Sequence, residues 1–251
     1  SQLVDMHLAN WLLALPTVFA LFSSSIKEAF PPKMVKIAVL GGGSVGTTLA
    51  KALADNGKDV IIAARDPDKT LGKLKESGLS DLSVGPIEET LRSADAIILA
   101  TPGIADDAGI QAFAQTLGDV SGKVIIDATN PLGPFQEGLN VRWDKGTSGG
   151  EVLAAALPTA KVYKSFNTVG VEHMKAALGK DMLIAGDPDE GARKIAEEVV
   201  AGVGFKPFYV GPIRYARNLE AIAELWIHMA VPPLGGRTTS RKFWFSISGD
   251  P

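Results

Sequence analysis

The chain has 251 residues, 46% of them hydrophobic and 21% charged, a balance that describes a folded globular body rather than a disordered one. Formal net charge is −3 with no basic run, which argues against nucleic acid or an anionic membrane as partner. There is no cysteine, so disulfides, thiolate nucleophiles and cysteine-ligated zinc or iron–sulfur centres are excluded. His7, His173 and His228 form no H-x-x-x-H pair, and no metal site is expected.

In chain order, residues 1–33 read as a leader or extension outside the main fold, with the breaker Pro31-Pro32 near its end. Leu8–Phe22 is apolar but shorter than the roughly 20 residues of a membrane span, and Pro16 interrupts it. No membrane span is expected, and the compartment reads as cytoplasmic or otherwise intracellular. The body of the protein is expected over residues 34–251.

Val35–Leu40 is an apolar, β-branched run, the pattern of a strand buried on both faces. It enters Gly41-Gly42-Gly43-Ser44-Val45-Gly46, which fits G-x-G-x-x-G, and Thr47–Asn56 then carries apolar residues at helical spacing. Gly41 suits the tight turn, Gly43 a close approach to a pyrophosphate, and Gly46 the packing of helix on strand. Unpaired N–H groups at the start of the helix would receive the anion at the positive end of its dipole.

A second strand follows at Asp59–Ala64, then a short helix opened by Arg65-Asp66-Pro67-Asp68-Lys69 and running to about Glu76. Ile87–Ser93 is helical, Ala96–Ala100 a strand ending at Thr101-Pro102, Asp106–Leu117 a helix, and Lys123–Ile126 a strand ending near Asn130-Pro131. Pro134–Gly150 reads as a long loop near the cofactor. Then come the helix Glu151–Leu157, the strand Lys161–Lys164, the turn Ser165–Gly170 and the strand Met182–Ala185. The helix Asp189–Ala201, the strand Lys206–Val210 and the long helix Ile213–Ala230 follow, with Lys242–Ile247 as an edge strand or docked tail. Alternating strands and helices predict an α/β fold, Rossmann-type and doubly wound, with a mainly parallel sheet and a C-terminal helical extension over about 211–251. The loops at Gly41, Arg65, Thr101 and Asn130 should share one edge, where such sheets bind ligands.

An NAD site usually has an acid at the end of the second strand, to hold the ribose 2′-hydroxyl. Here Arg65 stands there with Lys69 one turn on, cations suited to a 2′-phosphate, and NADP(H) is the expected cofactor. The other reading makes both cations plain surface and Asp66 the ribose-reading acid. Thr101 and Pro102 are placed beside the nicotinamide half or are simply a strand terminator. Asn130 either bonds ribose or carboxamide or makes an Asn-Pro turn.

The glycine loop together with ARDPDK, ATPG, DATNPLG, KSFNTVG and GPIRYARNLEAIAELWIHMA resembles the deazaflavin-dependent NADP reductases (NADPH:coenzyme F-420 oxidoreductases). Their relatives include the cytosolic domain of the six-transmembrane metalloreductases. The resemblance runs from Met34 to about the end of the chain. It implies an NADPH site using Gly43, Ser44, Val45, Arg65, Lys69, Thr101 and Asn130, and a second pocket for a flat deazaflavin or flavin ring. Asn167 and Arg217 are the candidates for positioning that acceptor, with surface or helix packing as the other reading of Arg217.

Hydride transfer between stacked rings needs alignment and water exclusion rather than a protein nucleophile. The expected activity is an NADP-dependent oxidoreductase transferring hydride between NADPH and a flavin-like small-molecule acceptor, with a homodimer as a candidate assembly. The alternatives are an NADPH-dependent imine or carbonyl reductase of the pyrroline-carboxylate-reductase kind and a non-catalytic NADPH-binding redox sensor. Tyr163 and Lys164 are adjacent, so the Tyr-x-x-x-Lys pair of short-chain dehydrogenases is missing. His228 reads as a structural histidine and His173 as an exposed one. Trp226, Trp244 and Phe245 read as packing residues.

Overall fold

The computed structural model describes residues 34–104, 106–132, 146–230 and 241–248. The expectations for residues 1–33 and for most of the long loop from Pro134 lie outside the described residues.

Eight strands form one sheet in the order β3-β2-β1-β4-β5-β6-β7-β8. They are β1 Lys36–Leu40, β2 Asp59–Ala64, β3 Ser83–Pro86, β4 Ala96–Leu99, β5 Val124–Asp127, β6 Lys161–Lys164, β7 Asp181–Gly186 and β8 Lys206–Gly211. The first six run parallel in the doubly wound order 3-2-1-4-5-6. β7 turns antiparallel to β6, and β8 runs parallel to β7.

The continuous apolar runs follow from the pleat. Ile37 and Val39 of β1 enter one core, with Leu49 and Leu53 of α1 (Ser44–Asp55) and Val199 and Val203 of α7 (Glu190–Val203). Ala38 and Leu40 enter the opposite core, with Leu91 of α3 (Ile87–Ser93), Ile110 of α4 (Asp107–Gln115) and Leu153 of α5 (Gly149–Ala156). Successive side chains point to opposite faces, so a strand covered on both sides has no polar alternation left to show. The order puts the crevice between β1 and β4, and the loops after β1, β2, β4, β5 and β6 emerge on one edge.

Three segments differ from expectation. β3 was not anticipated: it is an exposed edge strand with one β-branched apolar residue, Val84, and ends on Pro86, which an edge tolerates. The turn after β6 continues into a one-turn helix, α6 (Val171–Met174), too short to show a period. Residues 242–247 form no strand. They dock by side chains instead: Trp226 Nε1 donates to the Phe243 carbonyl at 2.8 Å, and the Trp226 and Phe243 rings stack at 5.5 Å.

Two histidines also differ. His173 is buried, its Nε2 lies 3.1 Å from the Arg241 carbonyl oxygen, and Trp244 meets its ring edge-on. His228, read as a structural histidine, is exposed on α8 (Ala216–Ala230), because the helix turns Ala223, Trp226 and Ala230 inward. Trp226 is core packing, whereas Trp244 and Phe245 stay partly exposed.

Candidate active site

Each glycine of the loop after β1 can be tested by the space around it. Gly41 adopts φ +131°, and a Cβ there would lie 2.5 Å from the Ala100 carbonyl oxygen. A Cβ on Gly46 would lie 1.9 Å from the Gly41 oxygen. The turn and the helix approach therefore require those two. Gly43 has nothing within 4 Å of its would-be Cβ. It is open on the side where a ligand would come.

Gly43 is also the N-cap of α1 and supplies no side chain to the helix start. By contrast Asp66, Asp106, Ser148 and Asp189 each cap their own helices, α2 (Pro67–Glu76), α4, α5 and α7. No acid occupies the first turn of α1 either. A bare, solvent-facing helix N-terminus can take an anion through the N–H groups of Ser44, Val45 and Gly46.

Beside it, β2 ends at Ala64 and Arg65 follows. Arg65 and Lys69 are exposed, and their cationic groups have no hydrogen-bond or ion-pair partner among the described residues. Asp66, the other candidate for reading the ribose, is engaged: its Oδ1 accepts the Lys69 N–H at 2.9 Å as the cap of α2. Gly42 brings the loop against α2, where a Cβ would be 3.3 Å from Thr70.

The loops after β4 and β5 interlock. A Cβ on Gly103 would lie 2.1 Å from the Asn130 carbonyl oxygen, so Thr101-Pro102-Gly103 crosses directly against Asn130. A small pocket under this crossing is lined by Thr101, Pro102, Phe113, Asp127, Thr129 and Gly149, among others. Asn130 Nδ2 donates to the Asn167 carbonyl oxygen at 3.0 Å, and Asn167 Nδ2 donates back to Asn130 Oδ1 at 3.2 Å and to the Leu219 carbonyl of α8 at 3.0 Å. Asn167 is 5% exposed. Just before it, Phe166 holds a left-handed φ of 64° with its ring fully buried. Left-handed backbone costs a non-glycine residue about 1–2 kcal/mol, and such strain clusters at functional sites.

Below these loops lies a buried charge cluster that the sequence reading missed. Lys164 Nζ meets Asp127 Oδ2 at 2.8 Å, Glu220 Oε1 at 3.1 Å and the Thr129 carbonyl at 2.6 Å, and no part of its side chain is exposed. Asp127 Oδ1 accepts from the Thr129 N–H and hydroxyl, and Glu220 accepts the Gly149 and Gly150 N–H groups that open α5. Burial pushes the Lys164 ammonium down, but the two carboxylates outweigh it and hold its pKa above the ordinary lysine value. The only sequence signal was charge inside apolar elements: Asp127 ends IID, and Lys164 ends a buried strand.

Arg217 joins α8 to α5 rather than standing free. Its guanidinium donates to both carboxylate oxygens of Glu151, each at 2.7 Å, and Ser148 Oγ donates to the same carboxylate at 2.8 Å. Burial pushes the Glu151 carboxyl up, but the bonds from Arg217 and Ser148 bring it below the ordinary value of 4.5. A depressed carboxylate stabilises the fold above its unfolded pKa, and that contribution is lost as pH falls through the folded one. Glu151→Gln should therefore lower the melting temperature at neutral pH, and the gap from the parent protein should narrow as pH falls below 4.5 and close once it has passed the lowered pKa of the folded state. A gap that does not change with pH would assign the loss to packing instead.

Among the described residues no group of three or more His, Asp or Glu side chains is placed to hold a metal ion, and no helix is long and apolar enough to cross a membrane.

Comparison with known proteins agrees with this geometry. The family described as NADP oxidoreductase, coenzyme F420-dependent, matches residues 36–131. The F420-dependent NADP reductase of Methanothermobacter marburgensis is 32% identical over 216 residues, covering 78% of this chain and 93% of the relative. Metalloreductase STEAP3 of Rattus norvegicus is 28% identical over 195 residues, 76% of this chain but 37% of the relative, so the chain spans little more than a third of that protein. The crystal structure of a putative F420-dependent NADP-reductase from Arthrobacter sp. FB24 superposes with a TM-score of 0.68 at 28% identity, over 86% of this chain and 100% of that one. A sheet in the 3-2-1-4-5-6 order, a bare glycine-led helix start, and a match above 30% identity over 78% of this chain and 93% of the relative converge on one assignment: the chain belongs to the coenzyme F420-dependent NADP oxidoreductase family.

Proposed function

We propose that the protein binds NADPH along the carboxyl edge of its sheet and passes the hydride to a flavin-like ring, a deazaflavin or a flavin. The observation that carries the reading is the pair Arg65 and Lys69, without a partner among the described residues, beside the open Gly43, with Asp66 already engaged as a helix cap. The N–H groups of Ser44, Val45 and Gly46 receive the pyrophosphate, with Gly41 and Gly46 setting the turn. Arg65 forks onto the 2′-phosphate and Lys69 adds charge. Thr101, Pro102 and Asn130 border the nicotinamide end, and Asn167 lies beyond it on the acceptor side.

When bound, NADPH would supply the hydride, which the acceptor ring would take up together with a proton from solvent, leaving NADP+ and the reduced ring. The protein needs no nucleophile for this; its part is to align two flat rings and keep water from between them. Arg217 contributes at one remove, by fixing α8 to α5 through Glu151.

The charge argument is tested directly by Arg65→Ala. A hydrogen bond to a charged group is worth roughly 1.5–3 kcal/mol, so NADPH should bind about ten- to a hundredfold more weakly. NADH affinity should stay within about threefold, since NADH has no phosphate to lose. Equal losses for the two would remove the 2′-phosphate role. The acceptor half is tested by mixing the protein with NADPH and FMN, FAD or a deazaflavin and following absorbance at the nicotinamide band. Oxidation with any of these rings supports the reading. Tight NADPH binding without turnover over that series overturns it.

A further inference from the structure

The buried charge cluster holds more than its own members. A lysine ammonium has three N–H donors and no acceptor, and Lys164 Nζ meets three oxygens on three parts of the chain. Asp127 ends β5, the Thr129 carbonyl lies in the loop after it, and Glu220 sits on α8. Thr129 is fixed at three points. Its N–H and hydroxyl donate to Asp127 Oδ1 at 2.9 and 2.7 Å, and its carbonyl accepts from Lys164 at 2.6 Å.

That carbonyl shares one rigid peptide plane with the Asn130 N–H, and in a trans peptide the two point opposite ways. With the oxygen drawn to a fully buried ammonium, the Asn130 N–H is turned away from the cluster. It has no hydrogen-bond partner among the described residues. Glu220 extends the hold to α5, accepting the Gly149 and Gly150 N–H groups at 3.1 and 3.0 Å. Asp127, Thr129 and Gly149 line the pocket under the Gly103–Asn130 crossing, together with Thr101 and Pro102. One ammonium and two carboxylates therefore set the polar wall of that pocket. Stability alone is a poor reason for such a cluster. Three ions give up their water, and apolar side chains of the same shape often serve a core as well. Only directed bonds orient a peptide.

We infer that Lys164 is a positioning residue for the nicotinamide end of the dinucleotide. It orients the peptide leading into Asn130 and, through Glu220, the start of α5. This rests on the proposed NADPH site and deepens it. Lys164 is enclosed and touches no ligand; it acts through Thr129, Asn130 and Gly149. The adenosine end, assigned to Gly43 and Arg65 after β1 and β2, is independent of it.

The test uses the full chain and two ligands. NADPH has both ends, whereas adenosine 2′,5′-bisphosphate has only the phosphorylated adenosine. Calorimetry gives Kd for each in the parent protein, in Lys164→Met, and in Lys164→Met combined with Asp127→Asn and Glu220→Gln. In both variants NADPH should bind about tenfold more weakly, the effect of one lost directing bond, while the bisphosphate stays within about threefold. The triple variant leaves no buried ion alone, so it decides the matter if the single variant does not fold.

A merely structural role would weaken both ligands together, so equal losses would overturn the inference. Unchanged NADPH affinity in the triple variant would overturn it too. A parent protein that binds neither ligand would overturn the NADPH reading, and the inference with it. The readout is binding, so failure to reduce any flavin-like ring would count against the reductase reading alone.

Discussion

Lys164→Met should destabilise the protein by about 3–5 kcal/mol, lowering its melting temperature on the order of 10 °C. The substitution is close in volume and leaves no large cavity, so the loss would be electrostatic. Asp127 and Glu220 would remain as carboxylates, 2% and 0% exposed, with their shared cation gone. Glu220 would keep the two N–H groups of α5, and Asp127 would keep Thr129. Neither arrangement supplies a counter-charge. Replacing all three charges together, Lys164→Met with Asp127→Asn and Glu220→Gln, should recover part of the loss, since no buried ion is then left alone. Thermal denaturation of the three proteins decides it. A single substitution costing under about 1 kcal/mol would show that the cluster does not depend on the lysine charge. Because Glu220 neighbours Leu219, and Lys164 holds the Thr129 carbonyl, the single variant should also loosen the Asn130–Asn167 contact above.

Gly46→Ala and Gly43→Ala should separate what the fold demands from what the ligand demands. The Gly46 methyl would fall 1.9 Å from a backbone oxygen that no rotamer change can move. Strand and helix must part, and NADPH affinity should drop by more than about a hundredfold together with a clear loss of stability. The Gly43 methyl meets nothing within 4 Å. That variant should melt within about 2 °C of the parent, yet bind NADPH about tenfold or more weakly, because the methyl would stand where the pyrophosphate is proposed to approach. Differential scanning fluorimetry with and without NADPH reads both effects. A Gly43→Ala protein with unchanged affinity would place the phosphates elsewhere.

The fold was legible where physics is local or one-dimensional. β1, β4 and β5 are covered on both faces, so each reads as an unbroken apolar run, and β2 ends at its expected residue. β3 was not legible because an exposed edge asks little of its side chains, and Ser83-Val84-Gly85-Pro86 carries no period. The glycine loop was legible because steric demands at Gly41 and Gly46 leave only glycine possible. The charge cluster was not. Asp127, Lys164 and Glu220 come from two strands and a helix, and only the sheet order brings them into contact. Arg217 was visible as a charge but not as a partner, since Glu151 lies on another helix.

The crossing of Gly103 over Asn130 has a mechanical result. With no side chain to act as a spacer, the segments after the fourth and fifth strands touch backbone to backbone, so pushing either one displaces the other. Helix α8 is joined to that rim through Asn167, which bonds both Asn130 and the Leu219 carbonyl, and to α5 through Arg217 and Glu151, so a shift of the crossing would be felt two elements away.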